Sequence, residues 1–323
     1  MSPMAIQRLT NGNSMTSKPA RRRAEAIDGI FLLNKPAGLS SNQALQKVKR
    51  LLNAKKAGHT GSLDPAATGM LPLCFGEATK VCAFLLNADK TYRVTAKLGV
   101  ATDTGDADGN ETATAEVPAM SAADWDKILQ SFRGESTQIP PMYSALKKDG
   151  KRLYELARQG VTVEREPRPV RIDAIELLEF AGKRLVFTVH CSKGTYIRTL
   201  VEDIAAKAGT VAHTARLHRE TVGDFKAESM LDLPSAERLL EQGADALRET
   251  LLTPDQALAG LPAVHVDATA ADLFRAGMPV ATAAVEAEGL VRVYGAGGET
   301  DFLGVGEQAK PGTIAPKRVF ARQ

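Results

Sequence analysis

Residues 58–72 read Gly-His-Thr-Gly-Ser-Leu-Asp-Pro-Ala-Ala-Thr-Gly-Met-Leu-Pro, a polar, glycine-punctuated stretch with one carboxylate, Asp64, at its centre. Glycines and prolines this dense fix unusual backbone geometry over a short span, which ordinary surface connections seldom need and catalytic loops often do. The stretch therefore reads as an active-site loop, in a form that suits many hydrolases and transferases.

Upstream, Gly29–Asn34 is a short apolar run stopped by Lys35-Pro36-Ala37-Gly38, a strand followed by a tight turn. A helix follows, capped by Ser40 or Ser41, with Ala44, Leu45, Val48, Leu51 and Leu52 at helical spacing. Downstream, Leu71–Phe75 reads as a strand and Glu77–Leu86 as a short helix. Thr91–Leu98 alternates, so that Tyr92, Val94, Ala96 and Leu98 share one face. The acidic segment Thr102–Asn110 carries Asp103, Asp106 and Asp108 but lacks the register and closing Glu of a calcium loop, and reads as a solvated connection.

Ser121–Phe132 has the pattern of a capped amphipathic helix. A basic stretch then combines Lys147, Lys148, Lys151, Arg152 and Arg158 with Tyr143 and Tyr154. A charge cluster alone is by default a solvated face, but cations interleaved with aromatics suit a phosphate backbone and its bases. Strands rich in Val and Ile run through Val170–Phe180 and Arg184–His190. In Cys191–Leu200 the period changes to that of a helix through Ile197, Leu200, Val201 and Ile204, with Thr195 near its cap. From about Leu252 short runs with close Gly and Pro suggest a small β-rich domain.

The chain has 323 residues, 44% of them apolar, enough for one large domain and a small one. A formal net charge of +3 allows a polyanionic partner without demanding one. The three cysteines (Cys74, Cys82, Cys191) have neither zinc-site spacing nor the density of a disulfide framework, which points to thiols in a reducing, cytoplasmic setting. No pair of histidines has metal-site spacing. The polar N-terminus with Arg21-Arg22-Arg23 reads as a disordered basic tail, and no apolar run approaches a membrane span.

Several of these motifs, in order, resemble the TruB family of bacterial tRNA pseudouridine synthases: the Lys35–Gly38 turn, the loop around Asp64, Gly76-Glu77-Ala78-Thr79-Lys80, Lys90-Thr91-Tyr92, Gln138-Ile139-Pro140-Pro141, and Cys191–Arg198. Phe302-Leu303-Gly304-Val305-Gly306 is similar to part of the small PUA-like domain those enzymes carry. The resemblance implies an α+β fold in which an extended mixed or antiparallel sheet flanked by helices forms the catalytic domain. It also implies a division into a tail (1–27), a catalytic domain (28–251) with an RNA-binding insertion at about 136–165, and a PUA-like RNA-binding domain (252–323). The implied activity is isomerisation of uridine 55 in the T-loop of tRNA to pseudouridine. A monomeric, cytoplasmic enzyme is expected, with no cofactor, metal or guide RNA.

By that resemblance Asp64 is the nucleophile or base, Arg198 its ion-pair partner, and Tyr92 the platform for the flipped base, with a possible second task of removing the C5 proton. His59 enters the space that the base leaves. Tyr196, Leu217, Lys35 and Leu200 belong to the substrate-binding set, and Lys147, Lys148, Lys151, Arg152 and Arg158 to an RNA clamp.

Overall fold

The computed structural model describes residues 23–282, 289–310 and 312–321. The N-terminal tail expected over 1–27 lies outside the described residues as far as residue 22. Residues 23–27 are already tied down: the Glu25 amide donates to the Asn53 carbonyl at 2.8 Å, and Ile27 is buried.

The framework is an eight-stranded sheet. Its strands are β1 (Gly29–Lys35), β2 (Ala57–His59), β3 (Thr68–Phe75), β4 (Lys90–Leu98), β7 (Gly134–Gln138), β10 (Arg168–Ala181), β11 (Arg184–Cys191) and β12 (Ala212–Val222). Their spatial order is β1-β3-β12-β4-β11-β10-β7, with β2 on β3, and every pairing is antiparallel except β3–β12. Two small hairpins stand off the sheet, β5 (Val100–Thr102) with β6 (Glu111–Thr114) and β8 (Lys147–Lys148) with β9 (Lys151–Arg152).

The helices form where capping and periodicity agree. Helix α1 (Ser41–Leu51) starts at Ser40, whose capping box with Gln43 satisfies the first free amides, and it buries Ala44, Leu45 and Val48. The expected Glu77–Leu86 helix is two pieces, a 3₁₀ turn at Gly76–Val81 and then α2 (Cys82–Asn87). The Thr79 hydroxyl donates to the Gly76 carbonyl at 2.7 Å and Asp28 accepts the Glu77 amide, so local side-chain bonds tighten the first turn. Helix α3 (Ala122–Gln130) has a Ser121–Asp124 capping box and buries Trp125 and Leu129. A short α4 (Leu153–Ala157) follows β9. Helix α5 (Ile197–Lys207) has Tyr196 at its N-cap, next to Thr195 as the sequence reads, and the Gln138 side chain accepts the Tyr196 amide at 2.7 Å. Helices α6 (Leu233–Gln242) and α7 (Ala244–Arg248) close the layer.

One face of the sheet packs Phe31, Leu71, Val94 and Phe187 against these helices in the main core. The other face carries Ile30, Leu32, Met70, Cys74 and Val222, and there Val305 and Phe320 of the C-terminal region join the same cluster. That region is a five-stranded sheet, β13 (Ala263–His265), β14 (Val280–Ala281), β15 (Gly289–Tyr294), β16 (Phe302–Lys310) and β17 (Thr313–Val319), packed on α8 (Ala268–Arg275) around Phe274. Leu252, placed by the sequence at the start of this domain, instead exchanges two backbone hydrogen bonds with Ile30 at the edge of the large sheet. The Lys80 ammonium donates to the Val319 carbonyl at 2.7 Å and Glu77 accepts the Ala321 amide at 2.9 Å, so the Gly76–Lys80 motif pins the C-terminal sheet to the large one.

Gly69 lies where β3 and β12 meet, with φ +99°, and a Cβ there would overlap the Arg219 carbonyl oxygen. Gly69→Ala therefore combines backbone strain with a backbone clash, at a cost of about 2 kcal/mol or more. The expected readout is a thermal unfolding midpoint lower by about 4 °C or more; an unchanged midpoint would contradict this packing.

Candidate active site

The Asp64 loop joins β2 to β3, and the turn after β1 holds it. The Ser41 hydroxyl bonds the Leu63 peptide at both its amide (2.8 Å) and its carbonyl (3.0 Å), and the Gly38 amide donates to the Pro65 carbonyl at 2.8 Å. Lys35 is fully buried and donates to the carbonyls of Pro36, Leu39 and Pro65 at 2.9, 2.7 and 3.2 Å. The residue expected in the substrate-binding set is thus a brace beneath the loop, with its donors committed to backbone. Burial pushes its ammonium down to about 8, against the opposing charge of Asp64.

Arg198 lies in the first turn of α5, 7% exposed, and three distant pieces of chain meet on its guanidinium. Nη2 pairs with Asp64 Oδ2 at 3.2 Å and donates to the Tyr143 carbonyl at 2.6 Å. Nη1 donates to the Thr104 carbonyl at 2.9 Å and pairs with Asp106 Oδ2 at 3.5 Å. The Asp64 carboxylate keeps 47% of its surface open at the mouth of the cleft. Desolvation by the cleft walls raises its pKa, Arg198 works against that rise, and Asp106 adds to it.

The sequence places Asp106 in a solvated loop, yet its side chain is only 15% exposed and faces Arg198. The loop folds back because the Thr214 amide donates to the Gly105 carbonyl at 3.0 Å, setting Asp106 beside β12. A buried guanidinium next to a half-open carboxylate needs further neutralisation, and that need was the available signal.

Tyr92 is buried on β4, on the alternating face read from the sequence. His59, on β2, is half-buried with Nδ1 unpartnered, and its pKa is lowered by burial and then by Arg219. Tyr196 is half-buried at the start of α5, and burial raises its phenol. Leu217 is half-buried on β12, whereas Leu200 is buried in the main core. The β8–β9 hairpin presents Lys147, Lys148, Lys151 and Arg152 to solvent, as α4 does the following Arg158. Arg152 and Arg158 lie over the Tyr154 ring at 5.9 and 5.5 Å, and the root of this insertion is the Tyr143 carbonyl held by Arg198. Sequence reasoning missed one more residue of the site, Arg219 on β12, which is 1% exposed beneath the Asp64 loop. Among the described residues, Asp89, Asp173 and His190 form the group spaced for a metal, and Arg171 occupies both carboxylates at 3.0 and 2.8 Å.

Three family models divide the chain in sequence. The TruB family pseudouridylate synthase N-terminal domain matches residues 49–197, the tRNA pseudouridylate synthase B C-terminal domain 198–259, and the pseudouridine synthase II TruB C-terminal model 262–320. A protein of Nitrosococcus oceani named tRNA pseudouridine synthase B is 48% identical over 95% of this chain and 99% of its own length. The chain belongs to the TruB family. A Dechloromonas aromatica protein of the same name is 50% identical over 93% of the chain and 97% of its own length. Among solved structures, the Cbf5-Nop10-Gar1 complex is similar with TM-score 0.71 and 26% identity, covering 91% of this chain and 85% of that one. The pseudouridine synthase fold expected for the family is thus the one found. The TruB-like motifs converge on one cleft: the Asp64 loop, the strand of Tyr92 and the turn into α5 all open onto it.

Asp64 chemistry that requires an ionised carboxylate gains rate as pH rises through its pKa. Arg198→Met removes the opposing cation, so the acid limb of the single-turnover rate moves to higher pH and the neutral rate falls about 100-fold or more. A pH profile parallel to wild type would break the electrostatic link between the two residues.

Proposed function

We propose that this chain is a tRNA pseudouridine synthase acting on uridine 55 of the T-loop, as a cytoplasmic monomer without cofactor, metal or guide RNA. Membership of the TruB family, with relatives that carry the name tRNA pseudouridine synthase B over nearly their whole length, supports the reaction class. The observation that carries the assignment of residues is the half-open Asp64 carboxylate paired with a buried arginine, with a buried tyrosine on β4 close enough to feel the Asp64 charge.

The isomerisation breaks the N1–C1′ glycosidic bond, turns the uracil and rejoins it through C5. Extruding the base from a folded T-loop costs a few kcal/mol, and stacking on Tyr92 recovers about 1–3 kcal/mol. His59 fills the gap that the base leaves. Asp64 either attacks carbon as a nucleophile, at C1′ or C6, or removes the C2′ proton to give a glycal; each route needs an ionised acid at contact distance. Arg198 keeps that acid ionised and aimed, and Asp106 holds the guanidinium. Tyr92 then takes the C5 proton, and Tyr196 and Leu217 border the base.

Residues 28–251 make up the catalytic domain in this reading, and the β-rich C-terminal unit is PUA-like and grips the T-arm together with the clamp. The Arg152–Tyr154–Arg158 stack is suited to a base and its phosphates, and it lies on the insertion rooted at Arg198.

The reaction is tested with a guide-free T-arm transcript tritiated at uridine C5, in chelator. Label release by wild type and none by Asp64→Asn is expected; release by both removes Asp64 from the chemistry, and release by neither removes the activity. Binding provides a separate check. Neutralising Lys147, Lys148, Lys151 and Arg152 together should weaken tRNA affinity and flatten its dependence on log salt by about 0.7–0.9 for each phosphate that the variant no longer neutralises. An unchanged slope would dismiss the clamp.

A further inference from the structure

Four cationic side chains are buried around the Asp64 loop: Lys35, Lys90, Arg198 and Arg219. Arg198 faces two carboxylates. Burial brings the ammonium groups of Lys35 and Lys90 down to about 8, so each can shed its charge near neutral pH. A guanidinium retains its charge. No carboxylate stands within ion-pair distance of Arg219 among the described residues, and a buried charge without one is expensive to keep.

The partners of Arg219 show what this charge does. On β12 it is in register with Tyr92 of β4 on one side and with Gly69 of β3 on the other. Its Nε donates to the Met70 carbonyl at 2.7 Å and its Nη2 to the Gly61 carbonyl at 2.9 Å, so one side chain grips the Asp64 loop at both ends. As direct cross-strand partners in antiparallel register, Arg219 and Tyr92 project from the same face of the sheet, both buried, and the guanidinium charge acts on the phenol. Neutral amides can satisfy two carbonyls; the phenol oxygen is the partner for which a fixed positive charge makes a difference.

We propose that Arg219 is a positioning residue for the second half of the reaction: it holds the Tyr92 oxygen beneath the turned uracil and stabilises its negative charge as it accepts the C5 proton. The inference rests on the assignment of Tyr92 to that proton transfer. Once the ring is rejoined through C5, that carbon carries the new bond to C1′ and its original hydrogen. The Tyr92 phenolate forms an O–H bond as the C5–H bond breaks. The freed electron pair restores the C5–C6 double bond, the former C6–N1 double-bond pair moves to N1, and N1 takes a proton, which the phenol returns.

Three ionisable groups bear on the Tyr92 hydroxyl from the elements around it. Burial raises its pKa; Arg219 from β12 opposes the rise, while Cys191 from β11 and Asp64 from the loop add to it. Removing Arg219 leaves only influences that disfavour the phenolate.

The test is tritium release from C5-labelled tRNA in single turnover, from neutral to alkaline pH, with tRNA affinity and thermal midpoint recorded for each variant. Arg219→Gln should lose about tenfold or more at neutral pH and regain rate as pH rises, its profile displaced upward by about one unit. Arg219→Lys should behave in the opposite sense. Burial lowers a lysine here as it lowers Lys35 and Lys90 nearby, so the variant should approach wild type at neutral pH and lose rate as pH rises. Variants that stay at a constant ratio to wild type across the range would make Arg219 a brace only and overturn the proposal; should Arg219→Gln fail to fold, Arg219→Lys decides alone. Tyr92→Phe separates the two levels. Wild-type release from Tyr92→Phe would sink the underlying reading of Tyr92, whereas an inactive Tyr92→Phe beside parallel Arg219 profiles would sink only this inference.

Discussion

The guanidinium of Arg198 is the point on which the site depends. It is buried at the start of α5, and it can remain there only because two carboxylates and two backbone carbonyls surround it. Those four partners come from three stretches of chain: the loop at 64, the hairpin at 104–106 and the insertion at 143. Folding the sheet brings these stretches together, and the ion pair then sets the charge and aim of Asp64. The Asp64 side chain stays half-open; burial raises its pKa, and the charge of Arg198 opposes that rise. The same arginine links the basic insertion to Asp64 through the Tyr143 carbonyl, so the proposed RNA clamp and the proposed reacting acid meet on one side chain.

Beneath that pair lies a second layer of buried cations whose partners are mostly carbonyls. Lys35 braces the turn under Pro65, and Lys90 donates to the carbonyls at the end of α2. Arg219 ties the Asp64 loop to β12. A glycine-rich loop without such anchors would sample many conformations. Here Lys35 from β1 and Arg219 from β12 fix it from below, while Ser62, Asp64, Pro65 and Ala66 stay exposed.

Local features were legible in the sequence where they rest on local physics. The Ser40 and Ser121 caps, the alternation of Lys90–Leu98 and the strand through Leu71–Phe75 all form as read, because capping and binary pattern decide them within a few residues. What could not be read depends on interactions between distant stretches of chain. The Tyr196 amide at the start of α5 is accepted by Gln138, nearly sixty residues away, and Asp106 leaves the solvent because Thr214 draws its loop onto β12. Lys35 carries a family motif but is packed inward, which the pattern around a turn does not reveal, whereas Leu200 is buried with the stripe read through Ile197, Val201 and Ile204. Arg219 has no motif at all, and its importance emerges only when β3, β4 and β12 are set side by side. The Gly76–Lys80 motif was legible as a signature but not as the latch for Val319 and Ala321 that it forms.

The most direct measurement is the structure of the Asp64→Asn protein bound to a T-arm RNA with an unmodified uridine at the target position. The predicted result is a uracil out of the RNA stack and against Tyr92, His59 in its former place, and the target ribose within about 3.5 Å of the residue 64 side chain. An RNA bound with that uridine still stacked in its loop, and residue 64 facing solvent or a phosphate, would contradict the role given to the cleft.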